Sequence, residues 1–360
     1  MKNKKERIKK TLIFTLVFLL ILIPLALYLI TSFDNKNIRY RLNIISSYGD
    51  KEAYHPKVIA FKEKWNGYKY WMSFTPYPKG KSAKENPHIV ASNDLINWEV
   101  PKGLKNPLDE VDNIPKKRYN SDSHIVYNPD TKILSCYWRQ VDHNKVIIYK
   151  RDTKDGVHWR KKEIVIISTD RHKKDYISPA IIYDEGIYKI WYVDVNYKVK
   201  YATSEDGLNW VDQKEVNITY KENLNTWHLD IIKTDKGYEM LVVAFDKWKN
   251  LNKMKLYYTY SLNETDFVEA KVVLKPETRM NKWDNSGIYR SSFIYENGKY
   301  YVFFGAQSKR KHRGTGLLEG KDLFNLNSIN PKKYKKYNKQ HNNRTTKHQI
   351  KTCPSIKFTN

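Results

Sequence analysis

Asp122 and His124 stand two apart in the stretch NSDSHIV, and His228 and Asp230 stand two apart in WHLDII. On a strand, alternate side chains share a face, so each stretch would aim a carboxylate and an imidazole the same way. Carboxylates brought together from two such strands can divide the general acid and general base roles, and imidazoles can carry protons near neutral pH. Arg290, in IYRSSF, adds a planar fork suited to a carboxylate or a phosphate. His55 in YHPKV, Glu85 in KENPHIV, Ser178 in ISPAII and Asp284 in KWDNSG complete the candidate set. His and Asp together could also hold a divalent metal. The spacing fixes no ligand set, however, and the lone cysteines Cys136 and Cys353 form no CxxC pair, so no metal or other cofactor is expected.

These residues are scattered over more than half of the chain, so only an architecture that converges can make one site of them. A repeat supplies it. SNDLINW (92–98), TKDGVHW (153–159) and SEDGLNW (204–210) are copies of one pattern, and SLNETDF (261–267) and GKDLF (320–324) are fainter ones. The aromatic closers Trp98, Trp159, Trp210, Phe267 and Phe324 follow one another at intervals of 61, 51, 57 and 57 residues. Periods near 50 with several strands per unit point to propeller blades. Each unit also contains two apolar, aromatic-rich runs around an Asn, Asp or Gly cluster, as in AIIYDEGIYKIWYV and SFIYENGKYYVFFG, which reads as a hairpin. The expected fold is therefore all-β, a five-bladed β-propeller with four strands per blade, in which Asp206 and Gly207 shape an outer turn and Trp210 packs between sheets. The first strand of each blade lines the central funnel. Aligning those strands places His55, Asp122, Ser178, His228 and Arg290 at one level, and Lys57, His124, Ala180, Asp230 and Ser292 two residues further on.

Residues 11–33 carry no charge and are long enough to cross a bilayer as one transmembrane helix. The basic residues before them should stay cytoplasmic, which would place the rest of the chain outside as a single-pass signal-anchored protein. The expected division is a basic segment 1–10, the anchor 11–33, a linker or first strand 34–50, the propeller 51–330 and a basic extension 331–360. Of the net charge of +26, the first ten residues hold +5 and the last thirty +9, which leaves +12 for the body. An acidic polymer or an anionic membrane surface fits this distribution. No helix-turn-helix, zinc-finger or RNA-binding signature accompanies it, so nucleic acid is not an expected partner.

The five-unit layout, together with SNDLINW and TSEDGLNW, resembles the five-bladed propeller glycosidases of glycoside hydrolase families 43 and 32 and their relatives, over residues of about 50 to 325. The resemblance implies an aspartate base or nucleophile in blade one, an orienting aspartate in a middle blade and a glutamate acid in a later blade. These roles fall on His55, on Asp122, and near His228 and Asp230. Two of the three positions depart from the pattern. The carboxylate pair that glycoside hydrolysis needs is then Asp122 with Asp230, with Glu85 able to replace the missing base; His55, His124, Ser178, His228, Arg290 and Asp284 are read as substrate-binding. The functional expectation is a carbohydrate-active protein acting on a cell-surface or capsular polysaccharide, acidic or phosphate-bearing. The alternative is a propeller that binds or assembles glycan without cleaving it.

Overall fold

The computed structural model describes residues 6–7, 11, 13–25, 38–112, 117–246, 253–279 and 282–331. Five sheets follow one another along the chain. The first is β1 (Ala53–Trp65), β2 (Tyr68–Pro76) and β3 (His88–Ser92); the second is β4 (Arg118–Asn128), β5 (Ile133–Asp142), β6 (Lys145–Thr153) and β7 (Glu163–Ser168). The third is β8 (Ile177–Asp184), β9 (Ile187–Val193), β10 (Val199–Ser204) and β11 (Val211–Glu215). The fourth is β12 (Leu224–Thr234), β13 (Gly237–Asp246), β14 (Lys255–Ser261) and β15 (Lys271–Leu274). The fifth is β16 (Gly287–Glu296), β17 (Lys299–Gln307), β18 (Arg313–Gly320) and β19 (Asn327–Ser328). Every pairing within a sheet is antiparallel and sequential. Blade one has three strands rather than four, its outer edge carrying only the bridge Ala91↔Glu99.

The inner strands β1, β4, β8, β12 and β16 pack in a ring. Five clusters of buried apolar side chains fill the five junctions between blades. Trp71 and Ile89 meet Ile125 and Trp138 between blades one and two, and Val58 and Trp98 meet Phe303 and Leu317 where blade five returns to blade one. Trp98 meets Phe303 edge to face at 5.8 Å. The segment before β1 reinforces this closure, with Leu42 N–H donating to Thr315 O at 2.8 Å.

The recurring acidic turn has one physical design. In each blade a side-chain oxygen of Asp94, Asp155, Asp206, Asn263 or Asp322 accepts two backbone N–H groups two and three residues on. The next residue in three of these turns is left-handed: Gly156 (φ +76°), Gly207 (φ +70°) and, in blade one, Leu95 (φ +66°). Leu95 shows that the conformation by itself tolerates a side chain, so the glycines answer to space. A Cβ on Gly156 would lie 2.1 Å from the Trp71 ring, and one on Gly207 would lie 2.5 Å from Tyr137 Oη. Gly156→Ala should therefore destabilise the fold by about 3 kcal/mol, read as a lowered urea midpoint, because overpacking adds to the left-handed backbone cost.

Asp206 also sets an acid limit. Partial burial would raise Asp206, but hydrogen bonds from Asn209, Leu208 and Ser204 outweigh it and hold the group well below the usual carboxylate range. A depressed folded value contributes stability above the unfolded value of about 3.8 that is lost as pH falls below it. Asp206→Asn should lower Tm at pH 7 and shrink the further fall in Tm on acidification below about pH 4.

The N-terminal unit, Met1–Arg39, is separate from the propeller unit Tyr40–Asn360. Residues 13–25 are helical, and most of their large apolar side chains are exposed, Phe14 at 75% and Leu20 at 65%. Among the described residues no helix is long and apolar enough to cross a membrane, so the expected transmembrane span is not shown. Residues 26–33 of that stretch and the extension beyond 331 lie outside the described residues.

Candidate functional site

All five inner strands break register at the level where the sequence aligned its polar residues: between Tyr54 and Lys57, Ser121 and His124, Ile177 and Ala180, Thr226 and His228, and Tyr289 and Ser291. A bulge inserts a residue and re-aims its side chain, which is how a strand end turns a group into a funnel. His55, Asp122 and Ser178 sit in these bulges with φ of 51°, 51° and 55°, a region sparsely populated by residues with a Cβ.

Three of the five aligned residues converge. One ligand atom each from His55, Asp122 and His228 lie within 4.8 Å of one another, and all three side chains are buried. His228 Nδ1 is 3.5 Å from Asp122 Oδ1. His55 Nδ1 meets Thr75 Oγ1 at 2.7 Å and Glu85 Oε1 at 3.2 Å, which leaves Nε2 as the nitrogen without a hydrogen bond. Both ring nitrogens of His228 and Oδ1 of Asp122 likewise make no hydrogen bond. Buried polar atoms left bare cost on the order of 1–3 kcal/mol each, so this concentration marks a place built to receive something.

Electrostatics divides the cluster. Burial lowers His55 to about 3 and His228 well below the ordinary imidazole value, so both rings are neutral at neutral pH. Burial would raise Asp122, but the charges that His228 and His55 carry when protonated, and those of Arg290 and Arg139, outweigh it and push the group down to about 2. With the imidazoles neutral, the two guanidinium groups are the charges that favour the ionised carboxylate. Arg290 Nη1 lies 3.7 Å from Asp122, and Arg139, itself doubly bonded to Asp175, reaches Ser121 Oγ at 3.3 Å. Glu85 goes the other way, raised well above the ordinary value by burial and then by the charge of Asp122.

The remaining predicted residues occupy other stations. Arg290 is wholly buried and ties Asp122 to the deeper level, with Nη2 donating to His124 Nδ1 at 3.2 Å and to Pro179 O at 2.9 Å. His124 Nε2 meets Ile181 O at 2.8 Å. Ser178 Oγ donates to Leu229 O and accepts Leu229 N–H, stitching β8 to β12. Asp230 is not brought into the cluster: Lys57 Nζ is 2.7 Å from its Oδ1, and Phe293 N–H donates to its Oδ2 at 3.3 Å. Asp284 is buried in the loop before β16, where its carbonyl accepts Glu277 N–H.

Sequence reasoning missed the aromatic wall. Tyr289 packs against His228 at 4.3 Å, His55 at 5.1 Å and Tyr54 at 4.8 Å between ring centroids, and its hydroxyl accepts Trp227 Nε1–H at 3.0 Å. Tyr77 stacks beyond Tyr54, and the Arg313 guanidinium lies 4.2 Å from the Tyr77 ring centre. A signal was available: Tyr54, Trp227 and Tyr289 each directly precede the aligned polar residue of their strand. A largely apolar cavity of about 510 Å3 lies elsewhere, lined by Phe61, Tyr127, Tyr183 and Tyr295 near the far ends of the inner strands. It contains none of the His55, Asp122 or His228 cluster, and the chemistry of the side chains places the candidate site at the cluster.

No family profile matches the chain. It is 31% identical over 306 residues to the A type blood N-acetyl-α-D-galactosamine deacetylase of Flavonifractor plautii, a match covering 70% of this chain and 39% of that protein, so the chain spans well under half of that relative. The crystal structure of an N-acetylgalactosamine deacetylase from F. plautii, in complex with blood group B trisaccharide, superposes with a TM-score of 0.71 at 26% identity, covering 79% of this chain and 95% of that one. An exo-1,5-α-L-arabinanase from a bovine ruminal metagenomic library superposes with a TM-score of 0.56 at 16% identity, covering 77% and 95%, a likeness of fold alone. The chain is a five-bladed β-propeller whose structural neighbours are glycoside hydrolases of the arabinanase kind and a carbohydrate deacetylase of the same fold.

Proposed function

We propose that the chain hydrolyses the N-acetyl amide of an amino sugar in a surface polysaccharide, using a divalent metal held by His55, Asp122 and His228. The observation that carries this reading is the cluster itself: two neutral imidazoles and one ionised carboxylate, buried, close together and with bare ligand atoms. Neutral His and charged carboxylate are the protonation states in which these groups ligate, and a set of two His and one carboxylate suits hydrolytic zinc or a similar ion. This departs from the expectation of a site without metal. When bound, such an ion supplies Lewis acidity and an activated water.

The chain's own groups do the rest. Glu85 and Thr75 orient His55 through Nδ1, so that Nε2 faces the cluster. Arg290 keeps Asp122 charged, and its Nε and Nη1, which make no hydrogen bond, are donors for negative charge developing on an acyl oxygen. Tyr289 fixes both rings by packing. The reaction adds water across the amide: oxygen to the acyl carbon, a proton to the departing amine, acetate and a free amino sugar as products. The similarity to a protein named as an N-acetylgalactosamine deacetylase supports this class of substrate.

A second reading has one observation behind it. Asp122 is pushed down and Glu85 up, the separation an ionised base and a protonated acid need for glycoside hydrolysis. The test is one incubation of the full chain with an N-acetylhexosamine polysaccharide, measuring acetate and new reducing ends with and without a chelator. Chelator-sensitive acetate without reducing ends supports deacetylation; reducing ends without acetate overturn it in favour of the Asp122–Glu85 pair; neither product leaves a glycan-binding propeller. We also read the 11–33 stretch as an anchor that holds the propeller at the outer membrane face, supported by its lack of charge and by the exposed apolar side chains of residues 13–25. Protection of the propeller from protease in intact cells would overturn that placement.

A further inference from the structure

A cavity of about 340 Å3 opens on the blade-five side of the propeller, lined by Arg41, Lys282, Arg310 and His312 together with Trp283. Among the described residues, no Asp or Glu lines it. A neighbouring cavity of about 550 Å3 shares Asn285 with it and adds Lys253, Lys255 and Lys309; the one acid among its described lining residues, Glu277, is paired with Arg279 at 2.6 Å. We infer that these two cavities form one binding cleft for an anionic polysaccharide, whose phosphate or carboxylate groups meet the cationic side chains while a sugar ring lies on Trp283.

Three observations carry the inference. Arg41, Lys282 and Arg310 are like charges facing one space, an arrangement whose self-repulsion is relieved when an anion enters. Trp283 is half-buried and stacked on Phe304 at 5.3 Å, which holds its indole rigid beside those charges. Such a ring is an amphipathic platform at little entropic cost. The cleft is also joined to the candidate site. Arg41 Nη1 donates to Arg313 O at 3.1 Å, and the Arg313 guanidinium lies over Tyr77 and Tyr54, the latter packed against His55 at 4.7 Å. Glu52 marks the border, with one carboxylate oxygen 3.1 Å from His312 Nδ1 and the other accepting Lys79 N–H. A polymer seated in the cleft would thus run toward the cluster, and the charge of the cleft selects an acidic polymer over a neutral one. This deepens the reading above, on which it rests for the reaction but not for the binding.

The experiment measures binding of the full chain to poly(glycerol phosphate), polygalacturonate, neutral dextran and single-stranded DNA. The two anionic glycans should bind with an affinity that falls as salt rises, and dextran should not. The stronger of the two identifies phosphate or carboxylate as the source of charge. Lys282→Ala with Arg310→Ala should weaken that binding by about tenfold or more, while Lys62→Ala with Lys64→Ala, which removes the same charge at the other end of β1, should change it less than about twofold. Independently of any variant, bound polymer should shield Lys282 of the wild-type chain from amine acylation and leave Lys62 reactive. Equal losses from both double variants, no shielding of Lys282, or DNA binding tighter than either glycan would overturn the cleft. In the incubation with N-acetylhexosamine polysaccharide, run with one neutral and one anionic polymer, absence of acetate alongside anionic-glycan binding sinks the reaction and keeps the cleft; acetate released equally from both polymers sinks the cleft and keeps the reaction.

Discussion

His228→Ala is expected to abolish the proposed acetate release, by about a thousandfold or more, and to prevent binding of the proposed metal, while the chain remains folded. The reason lies in what the imidazole does not do. Among the described residues neither of its ring nitrogens makes a hydrogen bond, so its removal leaves no hydrogen-bond partner stranded and costs the fold packing against Tyr289, Trp227 and His55. On the proposed site the bare nitrogen of this buried ring is one of three ligands, and losing one of three takes a divalent ion below useful affinity. Glu85→Gln should act more mildly, weakening metal binding by about 10- to 100-fold, because it changes the orientation of His55 rather than a ligand. The measurements are metal content after dialysis, acetate release and Tm on the same preparations. Unchanged metal content in His228→Ala would sink the assignment. Metal lost with acetate release intact would leave the ion without a role.

The second large effect is on stability and concerns Asp230. Lys57 and Asp230 lie 173 residues apart in the chain, yet they form an ion pair at 2.7 Å with exposures of 3% and 1%. Burial, and to a lesser degree the charge of Arg290, lowers Lys57 below the ordinary lysine value, and the charge of Asp230 and its hydrogen bond counter that only in part. Breaking a buried pair from one side leaves an uncompensated charge, so Lys57→Met should cost about 3–5 kcal/mol, whereas Lys57→Met with Asp230→Leu should recover most of the loss. The double variant keeps a small deficit, because Phe293 N–H loses its acceptor. Urea unfolding of the three chains decides the matter. If Asp230→Asn instead leaves stability untouched and removes turnover, Asp230 belongs with the catalytic groups and the structural role given to it here is wrong.

The two predictions separate adjacent levels of the same funnel, and that separation was only partly legible in the sequence. Alternation along a strand put Asp122 with His124 and His228 with Asp230 on common faces. In β4 the register break between Ser121 and His124 sets Asp122 and His124 at different levels. The upper level then gathers His55, Asp122 and His228, while the lower level becomes the stitching of the ring: His124 to β8, Asp230 to β16, and Ser292 Oγ accepting Val58 N–H of β1. A bulge depends on pairing with the neighbouring strand, and no residue type in these stretches announces it.

The chain's sequence by itself determined the number of blades, the outer turns with Asp94, Asp155 and Asp206, and the five polar positions at the starts of the inner strands, because each is a local pattern repeated at a near-constant period. Tertiary structure alone decided which of those positions touch. It also decided that Asp230 answers to Lys57, that Tyr289 closes over two imidazoles, and that Arg41 from before the first blade shares a cleft with Arg310 from the last. Those contacts join residues from different blades, and their energies depend on burial and on distances set by closing the ring, neither of which exists until five sheets have packed around one axis.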